Sequence, residues 1–382
     1  MRLSTTPATR AALAVLTAGV VLLATSACGP GGGAGAVSSS STATASSGTI
    51  ADAAVLSPDE LRAYQGGSSA RLASTALVPV VDAPSPTLPV TVTDSQGTKV
   101  TVTDTSRILT LDVYGTLSRI VYELGLGESL VGRDTSSDFD EIADLPNVTP
   151  GGHDVTAEAI LGLSPSVIVT DTSIGPWDVI LQMRDAGIPV VVVDSERSLD
   201  NIADLTNQVA TALGVPDVGK KLADRTQQEV DAEVAQIAKV APATEGQKLR
   251  TIFLYVRGQA GVYYLFGEGS GADALIDGVG GYDVAKEIGW EGMRPVNDEA
   301  IISAQPEVIL MMTKGLESAG GISGLLDRLP ALAQTPAGQH QRIIDMPDSE
   351  ILSFGPQSAQ VLDALAQAMY APQQHPSAVP AS

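Results

Sequence analysis

The stretch AEAILGLSPSVIVTD (residues 157–171) returns in outline as DEAIISAQPEVILMMT (residues 298–313). Each copy has a glutamate, then Ala-Ile, a proline seven residues after the glutamate, and finally an apolar, strand-forming run. Glu158 of the first copy therefore corresponds to Glu299 of the second. An acidic residue in the first turn of a helix is favoured by the helix dipole alone. The matched positions nevertheless predict two lobes of like topology.

Short apolar runs rich in β-branched residues alternate with single helices on both sides of this repeat. Such alternation indicates βαβ units, and hence an α/β protein with parallel sheets. An alternating hairpin is predicted ahead of them at residues 90–104, with its turn at residues 94–97. The predicted strands of the two halves lie at residues 107–112, 129–134, 166–171 and 188–194, and at residues 249–256, 261–267, 307–313 and 342–346.

A long helical segment separates the two halves. Residues 201–213 and 217–241 are predicted as helices interrupted by Gly-Val-Pro, and the second has apolar residues at three- and four-residue spacing. At 1.5 Å per residue the second helix would extend roughly 37 Å, enough to hold two lobes at a fixed separation. The predicted organisation is an N-terminal lobe at residues 89–198, a helical linker at residues 199–242, a C-terminal lobe at residues 243–371 and a frayed tail at residues 372–382.

The N-terminus has the pattern of an export signal. Arg2 and Arg10 precede an uncharged apolar run at residues 11–25, and Thr-Ser-Ala-Cys follows, ending at Cys28. The run is short for a membrane span, so residues 1–28 are predicted to be a signal peptide. Because Cys28 is the one cysteine of the chain, a disulfide framework is excluded. The motif resembles a bacterial lipobox with Thr in place of the usual aliphatic residue, which implies that Cys28 is lipidated and anchors the protein outside the cell membrane; ordinary cleavage beside an incidental cysteine is the alternative.

Residues 29–88 are rich in Gly, Ser, Thr, Ala and Pro. Such a composition buries too little apolar surface to offset the entropy of ordering. A flexible tether is therefore predicted, interrupted by a weak helical patch at residues 57–65.

Several classes of function have no support in the sequence. A formal net charge of −22 over 382 residues disfavours nucleic acid as a partner, because phosphate binding needs a basic surface. No G-x-S-x-G, H-E-x-x-H or P-loop motif indicates an enzyme. GEGSGA (residues 267–272) follows a predicted strand, precedes a helix and has Glu287 about 20 residues after it, as in dinucleotide sites. The same glycines would also permit a tight strand-to-helix turn.

Three residues from the two halves have the chemistry of an iron site. His153, one of three histidines, follows a Gly-Gly pair that presents it on a turn. Tyr255 and Arg257 stand two apart in a predicted strand, so their side chains leave the same face. A guanidinium stabilises a neighbouring phenolate by charge and hydrogen bonding, and haem iron accepts Tyr or His axially. Taken singly, Tyr255 would be a half-buried strand aromatic and Arg257 a solvated edge charge. Together with His153 they predict iron bound between the lobes.

From about residue 88 to residue 372 the chain resembles the class III (cluster A) substrate-binding proteins of bacterial ABC importers. The likeness comprises GRDTSS, both copies of the repeat, the long helix and the SFGPQSAQ helix, all in order. These proteins have two Rossmann-like lobes with parallel sheets joined by one long helix. More narrowly, GGHDVTAEAIL and YVRGQAGVYYLFG resemble the corresponding segments of haem-uptake lipoproteins of the HmuT kind.

That resemblance implies a receptor that binds ferric haem between its lobes and is not an enzyme. His153 and Tyr255 would be the axial ligands of the iron, and Arg257 would support the tyrosine. Trp290 and Met312 are expected as apolar walls of the haem site, with Met311 pointing instead into the lobe core.

The resemblance also implies partners. Glu158 and Glu299 would dock onto arginines of the permease, and the permease with its ATPase would form a haem importer supplied by haem-binding surface proteins.

Two alternatives for the function stay open. One is a ferric-siderophore or corrinoid-binding protein of the same fold, in which His153 and Tyr255 are incidental cleft residues. The other is an exported nucleotide-dependent enzyme that uses GEGSGA.

Overall fold

The computed structural model describes residues 48–379, so the predicted signal peptide and Cys28 lie outside the described residues. The strands are β1 (Ser68–Ser69), β2 (Val90–Thr93), β3 (Lys99–Val102), β4 (Ile108–Leu111), β5 (Val167–Thr170), β6 (Val190–Val192), β7 (Arg250–Arg257), β8 (Val262–Phe266), β9 (Tyr282–Asp283), β10 (Met293–Pro295), β11 (Val308–Met312) and β12 (Ile343–Met346). The α-helices are α1 (Pro58–Ala63), α2 (Thr116–Val121), α3 (Ala157–Leu163), α4 (Trp177–Asp185), α5 (Ile202–Ala212), α6 (Pro216–Val240), α7 (Ala272–Gly278), α8 (Val284–Glu287), α9 (Asp298–Ala304), α10 (Thr313–Ala319), α11 (Gly321–Arg328), α12 (Pro330–Ala333), α13 (Pro336–Gln339), α14 (Asp348–Ile351) and α15 (Ser358–Tyr370).

The N-terminal lobe is built on a three-stranded parallel sheet in the order β4-β5-β6. Ile108 pairs with Val167, and Ile168 pairs with Val190. All residues of these strands are buried, because apolar side chains from helices cover both faces of the sheet. The hairpin predicted ahead of the sheet is confirmed as β2 and β3, which pair antiparallel.

One predicted strand of this lobe, at residues 129–134, is replaced by two isolated bridges. Leu130 bridges to Ile108 at the sheet edge, and Arg133 bridges to Asn147. The Arg133 amide donates to the Pro146 carbonyl at 2.9 Å. The segment leaves the sheet because these hydrogen bonds attach its second half to another loop.

The C-terminal lobe has a mixed sheet in the order β1-β12-β11-β7-β8-β10, with β9 beside β7. Strand β12 pairs in parallel with β1 and β11, and β7 pairs in parallel with β11 and β9. Strand β8 pairs antiparallel with both β7 and β10. The connection from Arg257 to Val262 explains the antiparallel β8. It is too short for the crossover that a parallel neighbour requires, so β7 and β8 form a hairpin.

Helices α5 and α6 lie within the segment predicted as a helical linker. Leu222 of α6 lies in the core of the N-terminal lobe. Val230 and Ile237, further along the same helix, lie in the core of the C-terminal lobe. One continuous helix therefore belongs to both hydrophobic cores and fixes the distance between the lobes.

Within the described part of the chain, residues 48–88 differ from the flexible tether that their composition predicts. Ile50 is fully buried in the core of the C-terminal lobe, and β1 adds to that lobe's sheet beside β12. Leu77, Val80 and Leu88 then pack against the core of the N-terminal lobe. The segment is ordered because a few apolar side chains at intervals attach it to both cores, which an average over the whole composition does not reveal.

The predicted frayed tail is likewise attached as far as residue 379. Pro376 bridges to Ser68, and the Ser69 amide donates to the His375 carbonyl at 3.0 Å. Val379 is buried. The contacts of the tail with Ser68 and Ser69 are therefore contacts with β1.

A buried ionic cluster lies where β4 and β5 end. Arg197 donates to Asp171 at 2.6 Å and lies 3.5 Å from Asp112, and its guanidinium covers the Tyr114 ring at 4.7 Å. Burial and the neighbouring Asp134 raise the pKa of Asp112 to about 8, although Arg197 acts in the opposite direction. Asp112 and Asp171 thus share one guanidinium, with Asp134 close to Asp112. With its pKa raised in this way, we expect Asp112 to hold a proton at neutral pH.

We expect Ile50→Ala to lower the free energy of unfolding by about 2–5 kcal/mol, because it removes a fully buried side chain and leaves a cavity. Val78→Ala is the matched control in the same segment, since Val78 is 60% exposed and should cost little. Urea unfolding of both variants measures the difference. Equal, small effects would contradict the integration of this segment into the fold.

We expect Asp112→Asn to make the free energy of unfolding less dependent on pH. Because the pKa of Asp112 is raised in the folded state, its protonated carboxyl stabilises the fold fully below about pH 4. This stabilisation is lost as the pH rises through about 8. The wild-type stability should therefore fall more steeply than that of the variant over this range, as measured by urea unfolding at several pH values. Parallel curves would contradict a proton held by this cluster.

Candidate ligand-binding cleft

A cavity of about 300 Å³ lies where side chains of the two lobes meet. It brings together four of the predicted site residues, which come from widely separated parts of the sequence: His153, Tyr255, Arg257 and Met312. Its other lining residues are Val113, Thr135, Ser136, Asp138, Gly152, Val256, Lys314, Gly315, Ser318, Asp348 and Ser349.

His153 enters the cavity from a loop of the N-terminal lobe. Gly152 before it has a φ of 128°, which residues with a side chain rarely adopt, and its amide donates to the Thr149 carbonyl at 3.0 Å. Burial lowers the pKa of His153, and the Arg257 charge from the other lobe lowers it further, against the opposing effect of Asp154. Both effects favour the neutral imidazole, which is the form that coordinates a metal ion.

Tyr255 and Arg257 leave the same face of β7, as their spacing predicts. The Arg257 Nε donates to the Tyr255 hydroxyl at 2.5 Å. The Tyr255 ring stacks on Phe266 with 6.0 Å between centroids and 24° between planes. Because Phe266 belongs to the lobe core, the phenol is positioned by packing on one side and by the guanidinium at its oxygen.

The two predicted apolar walls lie in different places. Met312 lines the cavity, whereas Met311 is fully buried in the core on the other face of the sheet, as strand alternation predicts. Trp290 packs against the same core as Met311, and its indole nitrogen donates to the Leu265 carbonyl at 3.0 Å. Trp290 is therefore not a wall of this cavity, because the loop before β10 turns it toward the far face of the sheet.

Several polar residues of the cavity were missed by the sequence analysis. Lys314 is the most informative, because it adds a second cation to the lining beside Arg257. Its amide donates to Asp348 at 3.0 Å, which positions the first turn of α10 at the cavity. The available signal was its place two residues after Met312, where a parallel strand ends and ligands commonly bind.

Glu158 and Glu299 lie outside the cavity, exposed in the first turns of α3 and α9. These helices are structural counterparts. Each has 7 residues, begins after a polar side chain that accepts from the third helical amide, and ends at a left-handed residue before the proline. The repeat in the sequence is thus a repeat in the structure, and a docking role for the two acids stays a prediction.

The GEGSGA loop satisfies its own hydrogen bonds. The amides of Gly269 and Gly271 donate to the Asp273 carboxylate at 2.9 and 3.0 Å, so these donors already have an acidic partner within the chain. Glu287 pairs with Arg250 at 2.8 Å. These contacts fit a strand-to-helix turn.

Two features are absent from the described residues. Within residues 48–379, no group of three or more His, Cys, Asp and Glu side chains is arranged to hold a metal ion. In the same part of the chain, no helix is both long enough and apolar enough to cross a membrane.

The chain has the class III periplasmic-binding-protein fold, in which one helix connects two α/β lobes and a cleft lies between them. The family model described as periplasmic binding protein matches residues 113–350. The chain belongs to this family.

Individual relatives give a more specific comparison than the family model does. The chain is similar to the solved heme binding protein HmuT, with 41% identity and a TM-score of 0.77 over 82% of this chain and 99% of that chain. It is also similar to the ABC transporter substrate-binding lipoprotein YvrC of Bacillus subtilis (strain 168), 24% identical over 74% of this chain and 86% of YvrC. A cobalamin-binding protein of Halobacterium salinarum is 26% identical over 58% of both chains.

Solved variants of HmuT match the chain as well. In three of them a histidine, a tyrosine or an arginine is replaced by alanine. The replaced arginine follows the replaced tyrosine by two positions, which is the spacing of Tyr255 and Arg257.

We expect the His153 imidazole to titrate below the ordinary histidine range, and Arg257→Gln to raise its pKa. Removal of the positive charge makes the imidazolium less unfavourable, so protonation moves toward neutral pH. NMR titration of the imidazole proton signals, with His153→Gln used to assign them, measures both values. An unchanged His153 pKa in Arg257→Gln would contradict the electrostatic coupling across the cleft.

Proposed function

We propose that this protein is a haem receptor of an ABC importer, which binds ferric haem between its lobes and delivers it to the permease. One observation carries the proposal. An imidazole from one lobe, with its pKa lowered by burial, and a phenol bonded to a guanidinium from the other lobe line the same cavity. Both are ligand types that haem iron accepts axially.

The chemistry of each residue follows from its environment. His153 would ligate one face of the haem iron and Tyr255 the other. Arg257 would stabilise the phenolate, since a guanidinium that donates to the oxygen favours its anionic form. Lys314 and Arg257 would also offset the negative charge of the haem propionates, and Met312 would supply an apolar contact to the ring. No catalytic turnover is proposed, because binding and release are sufficient for this role.

Similarity to known proteins supports haem as the ligand. HmuT is described as a heme binding protein, and the chain covers 99% of it. The variants of HmuT at a histidine and at a tyrosine–arginine pair with the same spacing support the assignment of His153, Tyr255 and Arg257. A corrinoid ligand is the second candidate, because the cobalamin-binding relative has recognisable, though less extensive, similarity.

Location and partners follow from the same proposal. Cys28 would carry a lipid that holds the receptor on the outer side of the cell membrane, and YvrC is described as a lipoprotein of the same transport class. The permease and ATPase of the importer would be the partners, with Glu158 and Glu299 docking onto permease arginines. Haem-binding surface proteins would supply the ligand.

Titration with haemin tests the axial assignment. We expect a sharp Soret band for the wild type, a weakened band for His153→Ala and for Tyr255→Ala, and about 10- to 100-fold weaker affinity for Arg257→Gln, which leaves the ligands in place but removes the positive charge beside them. Trp290→Phe is the control, because Trp290 lies outside the cavity. Unchanged spectra in both axial variants would overturn the assignment, and tight binding of cyanocobalamin without haemin binding would favour the corrinoid alternative.

A further inference from the structure

Helices α3 and α9 each expose a large apolar side chain beside their glutamate. Leu161 is 45% exposed and Ile302 is 47% exposed, and both belong to a small set of large apolar residues on the described surface. Leu161 follows Glu158 by three positions, and Ile302 follows Glu299 by three. Residues three apart on a helix are neighbours on one face, so each lobe presents an acid and an apolar side chain together.

The exposure of these two side chains is a feature of both lobes and not an accident of one helix. The preceding residues, Ile160 and Ile301, are 0% and 1% exposed and bury the inner faces of α3 and α9. Each helix therefore has its core contact already, and its next residue points outward without being needed for folding. A polar residue would satisfy the fold equally well at positions 161 and 302.

We infer that Leu161 and Ile302 are apolar anchors of the permease-docking surface, each placed beside the glutamate of its lobe. The inference rests on the proposed delivery of ligand to a permease. The partner that fits this surface has two equivalent sockets, which are apolar pockets bordered by cationic side chains. Two copies of one membrane subunit would provide them. The glutamates attract and orient the partner, whereas the apolar side chains prolong the complex once water is excluded.

Charge favours this partner over the other surfaces that bind apolar side chains. A second copy of this chain would bring glutamate against glutamate, in a protein of formal net charge −22. An anionic lipid surface would likewise repel Glu158 and Glu299. An apolar pocket bordered by cationic side chains would accommodate both the apolar residue and the glutamate of each lobe.

The test measures binding of the haem-loaded receptor to the permease–ATPase complex in nanodiscs, with association and dissociation rates recorded at several salt concentrations. Leu161→Gln with Ile302→Gln should speed dissociation about tenfold and leave the salt dependence unchanged. Glu158→Gln with Glu299→Gln should instead slow association and flatten its salt dependence. Leu181→Gln is the matched control, because Leu181 is a 41% exposed leucine on α4 outside the repeat.

The two single apolar variants should contribute to similar extents, since the sockets are equivalent. Wild-type dissociation rates in the double apolar variant would overturn the inference, as would an equal effect of Leu181→Gln. Binding to empty nanodiscs that depends on Leu161 and Ile302 would also overturn it and assign the pair to lipid. The Soret band of each variant is measured in parallel. A failure of haem binding in the wild type counts against the proposed function, whereas a normal Soret band with unaltered docking counts against the anchors alone.

Discussion

Helix α6 is the constraint on which the cleft depends, because it contributes side chains to the hydrophobic cores of both lobes. Leu222 is packed in one core, and Val230 and Ile237 in the other. A helix of 25 residues is stiff over this length, so the lobes cannot separate freely without exposing one end of it. His153 and Tyr255 therefore line the cavity from two lobes whose cores share one continuous helix.

Further contacts act with α6 to hold the cleft. The Thr116 hydroxyl donates to the Ser353 carbonyl of the other lobe. The segment after β1 crosses from the C-terminal sheet to the N-terminal core, where Leu77 and Val80 pack. The buried cluster around Arg197 fixes the ends of β4 and β5 next to the cleft. A ligand entering a site arranged in this way loses less free energy to the ordering of side chains, which is the advantage of preorganisation.

Most of the fold and the central part of the site are predictable from the sequence, and the failures have physical causes. The parallel strands, α5 and α6 follow from apolar periodicity, and Tyr255 with Arg257 follows from the two-residue period of a strand. Residues 48–88 were expected to be disordered because composition averages out the few apolar anchors such as Ile50. The position of Trp290 depends on how β10 pairs with β8 in three dimensions, which local spacing does not encode. Lys314 stands two residues after Met312, at the end of a parallel strand, but the packing of α10 decides that it lines the cavity.

Arg257 acts on both of the proposed axial ligands, His153 and Tyr255. Its Nε donates to the Tyr255 oxygen, and its charge disfavours protonation of His153 across the cavity. In the proposed haem complex the same guanidinium would stand beside the phenolate and would favour the neutral imidazole. A single exposed guanidinium at the end of β7 would therefore act on both proposed ligands of the iron. A neutral hydrogen-bond donor at position 257 would reproduce the contact with the tyrosine but not the effect on the histidine.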